Sequence, residues 1–193
     1  MRIFFEALFV IIVGLGLGGG LALLSIQDNH GFGSLTIGSW TAWPQAGSAT
    51  ADPYTRAKVA ANAEVPLGAA EGIAFHARSD SNNRPLDRKC SYRLTGTTPP
   101  ARVWTLAAHA ISGDGIKNDI DLPASLVSRS LLRQTDGRLD IMVGPQAMAG
   151  NWLPLSGDGP YALILRLYDT QITTSRSLLQ PDMPLVQRVT CAS

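Results

Sequence analysis

The chain has 193 residues, with 16 basic and 15 acidic side chains and a net charge of +1. That balance leaves no electrostatic footprint for nucleic acid and no charged tail, so nucleic acid is not an expected partner. Nineteen glycines and twelve prolines show no period; they punctuate segments apolar enough to pack, which sets the chain apart from a disordered one.

The first element is hydrophobic. Residues 7–26, ALFVIIVGLGLGGGLALLSI, hold 20 residues without a charge. A helix of that length spans about 30 Å, the hydrocarbon thickness of a bilayer. Arg2 precedes it, and positive charge stays on the cytoplasmic side. The expectation is a single-pass chain of the bacterial inner membrane with its C-terminal domain in the periplasm. The rival reading is a cleaved signal peptide, with Gly20-Leu21-Ala22 as the small-x-small cleavage site. Both readings take the domain out of the cytoplasm. Gly14 and Gly18, then Gly16 and Gly20, form overlapping GxxxG frames. That spacing lets two helices approach closely in lipid and implies homo-oligomerisation; a glycine-rich signal segment is the plainer alternative.

Beyond this anchor (1–26), the chain divides into a connector (27–52) and a β-sandwich domain (53–193) that opens with a short helix. The connector is rich in Gly, Ser, Thr and Ala, interrupted by Trp40 and Trp43. These two are the candidate interface anchors, because tryptophan is enriched among residues that dominate binding energy; packing on their own domain is the alternative. Residues 53–63 read as a helix, with Asp52 at the N-cap and Pro53 in the first turn, ended by Pro66 and Gly68.

From residue 73 the period changes to two. IAFHAR (73–78), CSYRLT (90–95), RVWTLAAHA (102–110), RLDIMVG (138–144), YALILRLYD (161–169) and LVQRVTC (185–191) read as strands separated by Gly, Pro, Asn and Asp turns. Many short strands so punctuated argue for an all-β sandwich or barrel. Cys90 and Cys191 are the two cysteines. An even count in an exported chain favours a disulfide, here tying the last strand to an early one.

The ordered set GAAEGIAFHAR (68–78), CSYRLTG (90–96), PPARVWTLAAHA (99–110), DGRLDIMVGP (136–145) and NWLPLSGDGPYALILRLYD (151–169) resembles the bacterial domain-of-unknown-function family numbered twelve-fourteen. The resemblance implies a jelly-roll-like β-sandwich. It also implies a partner: in many relatives this module shares its chain with a second module, twelve-fifty-four, so a companion envelope protein of that type is expected. The sequence departs from the family pattern at His109 and at Asp169-Thr170. The family supplies no catalytic residues to carry over.

No HxH, HxxxH or HExxH spacing, nucleophile elbow or phosphate loop appears, so no metal or cofactor is expected. His76 and His109 fall in strands and could meet across a sheet, though a strand histidine is more often structural. Arg166 and Tyr168 alternate with leucines and share one strand face. An arginine there needs a partner: either a structural ion pair with Asp140 or Asp169, or anion capture with Tyr168 and Trp152 as a stacking surface. The leading reading is a membrane-anchored interaction or assembly module. The alternative is a β-sandwich enzyme or carbohydrate-binding protein whose concave sheet face presents Arg166, Tyr168, Trp104 and Trp152.

Overall fold

The computed structural model describes residues 2–27, 33–61, 65–68, 70–118, 122–170, 172 and 181–192. Helix α1 (Arg2–Gln27) contains a 23-residue stretch, Arg2–Leu24, that is long and apolar enough to cross a membrane and is unburied. The rest is mostly β. A six-stranded sheet runs in the order β1 (Leu35–Ile37), β2 (Trp40–Ala42), β3 (Gly72–Ala77), β9 (Tyr161–Tyr168), β5 (Val103–Ala110), β6 (Ser125–Val127). A four-stranded sheet runs β10 (Leu185–Cys191), β4 (Cys90–Gly96), β7 (Leu139–Gly144), β8 (Asn151–Pro154). One hydrophobic cluster draws on both sheets.

The period-two pattern explains which face is buried. In the six-stranded sheet Phe75, Leu165 and Leu106 sit opposite one another across β3, β9 and β5, all at 1% exposure or less. Trp104 and Leu167 form a second inward row. From the other sheet come Tyr92, Leu94, Ile141, Val143 and Leu153. Each such side chain contributes about 1.5–3 kcal/mol by leaving water.

Six strands expected from the alternation form within a residue or two of their expected ends. Four short ones were not expected. β1 and β2 lie in the stretch read as a connector and instead form a hairpin that extends the six-stranded sheet. Gly38 provides the turn at φ 57°, with Ser39 as the second loop residue. β8 pairs with β7 in parallel, which a sandwich of antiparallel hairpins would not require. Asn151 fixes it: its Oδ1 accepts the Leu132 N–H at 2.8 Å, and its Nδ2 donates to the carbonyls of Leu132 and Asp140.

Helix α2 (Pro53–Ala61) starts where Asp52 caps it. The Asp52 carboxylate accepts the Tyr54 and Thr55 N–H groups and the Thr55 hydroxyl. The Thr55 hydroxyl first, then its N–H, hold the Asp52 carboxyl below its usual range. Cys90 and Cys191 are bonded to each other and are register partners of β4 and β10.

Candidate functional site

The six-stranded sheet has a second face. On it the residues with the opposite parity line up: Thr41, His76, Ile164 and Ala107 in one row, Ala74, Arg166 and Thr105 in the next. This face is roofed. Turns over 43–51 lead into α2, whose Thr55 and Val59, one helical turn apart, look down on the sheet, and 65–67 closes the end. The roof fits tightly in places: a Cβ on Gly47 would come 2.0 Å from the Leu67 carbonyl oxygen.

Between sheet and roof lies a cleft of about 50 Å³, lined by Trp43, Thr55, Ala74, His76, Arg78 and Arg166 among others. Trp43 and His76 meet edge to face, with ring centroids 6.0 Å apart. Trp43, His76 and Arg78 each have an interaction partner. Arg166 is half-buried on this face and makes no hydrogen bond or ion pair among the described residues.

The sequence singles out Arg166 as an arginine in need of a partner and offers Asp140 or Asp169. Neither expected carboxylate reaches it. Asp140 lies on the other sheet, clasped by Arg93 through two bonds of 2.8 and 2.7 Å. Asp169 pairs with Arg102 at 3.1 Å. The four residues read as one ligand surface do not converge. Trp104 points inward and is 2% exposed. Trp152 is on β8 and donates to the Gly144 carbonyl at 3.0 Å. Arg166 and Tyr168 do share a face, with Gly72 and Val103 flanking the tyrosine.

The two connector tryptophans part company. Trp40 is a core residue, 1% exposed, with its indole N–H on the Pro184 carbonyl at 2.7 Å. It is not available as an exposed interface anchor. Trp43 lines the cleft. His76 and His109 also stay apart, with β9 between them; the His109 Nδ1 bonds the Gly113 carbonyl at 3.1 Å and pins its own turn. Among the described residues no group of three His, Cys, Asp or Glu is placed to hold a metal.

A second polar cluster went unread in the sequence. Asp80, wholly buried, accepts the N–H groups of Asn82 and Arg84 and pairs with the Arg84 side chain at 2.9 Å and with Arg188 at 3.4 Å. Burial alone would raise its pKa, but the two N–H bonds and the Arg84 contact outweigh it and hold the carboxyl below its usual range. Arg188 in turn lies 5.5 Å over the Tyr92 ring. Tyr161, edge-on to Tyr92, has a buried hydroxyl without a partner among the described residues, and burial pushes its pKa well up. Since Asp80 also begins the turn that docks on β10, with Ser81 N–H on the Val186 carbonyl, the cluster closes a loop rather than forming a cavity.

The family model described as "Protein of unknown function (DUF1214)" matches residues 71–172, more than half of the chain. The chain belongs to the DUF1214 family. The match contains β3 to β9, and so His76 and Arg166; the β1–β2 hairpin, the roof with Trp43 and Thr55, and β10 fall outside it. No curated protein matches this DUF1214 chain. Among solved structures it is similar to the VPA0106 protein of Vibrio parahaemolyticus, with a TM-score of 0.59 and 20% identity over 96% of this chain and 46% of that one. An uncharacterised protein from Burkholderia cenocepacia matches with a TM-score of 0.45 and 16% identity, over 96% of this chain and 52% of that one. The DUF1214 chain thus spans about half the length of each of these two proteins. At these identities the likeness to the Vibrio protein bears on the fold alone.

Proposed function

We propose that this DUF1214 protein is a membrane-tethered interaction or assembly module of the bacterial envelope, with α1 spanning the inner membrane once and the β domain in the periplasm. The observation that carries the reading is α1 itself: a 23-residue apolar stretch, unburied, joined to a domain whose two cysteines are bonded. An exposed apolar helix of that length is stable in lipid and costly in water. A disulfide persists in an oxidising compartment such as the periplasm. Arg2, at the N-terminal end of the span, sets the orientation.

The fold is read in finer detail as a jelly-roll-like sandwich, because the long strands β3, β4, β5, β7, β9 and β10 alternate between the two sheets along the chain. The companion is a protein of the twelve-fifty-four type, on the strength of the family resemblance. A second copy is the other partner this reading allows, through Gly14, Gly16, Gly18 and Gly20, where an added Cβ would meet nothing.

A C-terminal alkaline phosphatase fusion tests the topology: activity, with the full-length chain in the membrane fraction, is expected. An inactive fusion, or a chain shortened after Ala22 and released as a soluble protein, contradicts tethering. Co-purification from detergent-solubilised membranes then tests assembly. A defined companion or a second copy is expected, and a lone monomer contradicts it.

A further inference from the structure

We propose that the roofed cleft of the six-stranded sheet binds a carboxylate through the guanidinium of Arg166. This goes beyond tethering and holds whichever way α1 is processed. A cation drawn partly out of water and left without a counter-charge is unfavourable, and proteins pair such groups or present them to a ligand. Arg166 is half-buried, and the residues across from it in the ladder, Ala74 and Thr105, carry no charge. The other polar groups of the cleft that could be confused with it, His76, Arg78 and Trp43, already have partners.

Size and charge select the ligand. About 50 Å³ is far less than the roughly 300–1,000 Å³ of a site enclosing a whole small molecule, so only an end group enters. The planar fork of Arg166, unpaired among the described residues, matches a carboxylate through two parallel bonds. Trp43, on the roof, supplies the apolar wall along which the rest of the ligand leaves the cleft. That carboxylate comes from a small free acid or from the C-terminus of a peptide.

The test uses the full chain in detergent, titrated by calorimetry with acetate, with hexa-alanine and with C-terminally amidated hexa-alanine. Saturable binding of acetate, or of the free-acid peptide but not its amide, is expected; acetate binding identifies a small acid, and peptide binding much tighter than acetate identifies a chain terminus. No saturable binding of either overturns the proposal. Arg166→Met should weaken binding by roughly tenfold or more, the loss expected of a charge-assisted pair, with Arg166→Lys restoring little of it. Unchanged binding by Arg166→Met overturns the proposal. Ala74→Asp places a carboxylate opposite Arg166 in the ladder. It should fold at least as stably as the wild type and bind neither probe; an Ala74→Asp variant that unfolds or binds as the wild type also overturns the proposal.

Discussion

Two arginines on outer strand faces have had opposite treatment. Arg93, on the open face of the four-stranded sheet, is half-exposed and still clasped by Asp140 through two bonds. Arg166, on the roofed face of the six-stranded sheet, is more buried and pairs with nothing among the described residues. Water would have stabilised Arg93 without Asp140; Arg166 has less water and more need. Among the described residues, the cation with the lesser need is the one that is paired. A face that leaves its desolvated charge open, under a helix and two turns placed to cover it, has the organisation of a site, whereas the Arg93 face has that of a solvated surface.

The two sheets are also held differently, and the sharpest way to separate them is at their fastenings. The four-stranded sheet is fastened by the Cys90–Cys191 bond, which closes a loop with a sequence separation of 101. The chain-entropy model gives about 4–5 kcal/mol for such a loop. Cys90→Ser with Cys191→Ser should therefore lose several kcal/mol in urea denaturation while leaving the cleft's own residues in place. A loss below about 1 kcal/mol would mean that β10 is held by its ladder and not by the bond.

Next in size is Asp80. It is wholly buried, and its removal strands Arg188, which is 22% exposed. Asp80→Asn should cost about 3 kcal/mol, the low end for a broken buried pair because Arg84 is 50% exposed. The pH dependence follows from a depressed carboxyl pKa. Its stabilisation is present above the unfolded carboxylate value of about 3.9 and is lost as pH falls through the lower folded value. Wild type should lose stability in acid more steeply than Asp80→Asn; parallel curves would remove Asp80 from the account. The roof is fastened more weakly. Asp52→Ala removes the α2 cap and should cost about 1 kcal/mol, with faster amide exchange confined to α2 if the roof opens by itself.

The six long strands were legible because their alternation is continuous: YALILRLY keeps Leu163, Leu165 and Leu167 on one side whatever surrounds it. The bond between Cys90 and Cys191 was legible from the count of two. The β1–β2 hairpin escaped because each strand is only three residues long, although Leu35-Thr36-Ile37, Gly38-Ser39 and Trp40-Thr41-Ala42 do spell two alternating runs around a two-residue turn. Trp40 stayed between two readings for the same reason: outside a strand nothing decides between a partner and its own domain, and inside one it faces the core. Alternation could say that Arg166 stands off the apolar face, but not what stands opposite. Its neighbours are set by the β3–β9–β5 order and by a roof more than 100 residues earlier in the chain, and pairing at that range leaves no local signal. Asp80 did leave one, an aspartate opening the Ser-Asn-Asn turn, which is the sequence of a side chain that bonds the N–H two residues on.

The smallest effect is the most telling, because the account turns on how the two arginines differ. Arg93→Met and Arg166→Met should be compared in one urea series without added carboxylate, methionine keeping the aliphatic stem in each. Breaking the Arg93–Asp140 pair should cost between about 0.2 and 1 kcal/mol, as for other exposed pairs. Removing Arg166, unpaired among the described residues, should leave stability unchanged or raise it. If Arg166→Met proves less stable than Arg93→Met, Arg166 is a bonded structural residue and the roofed face is not a site.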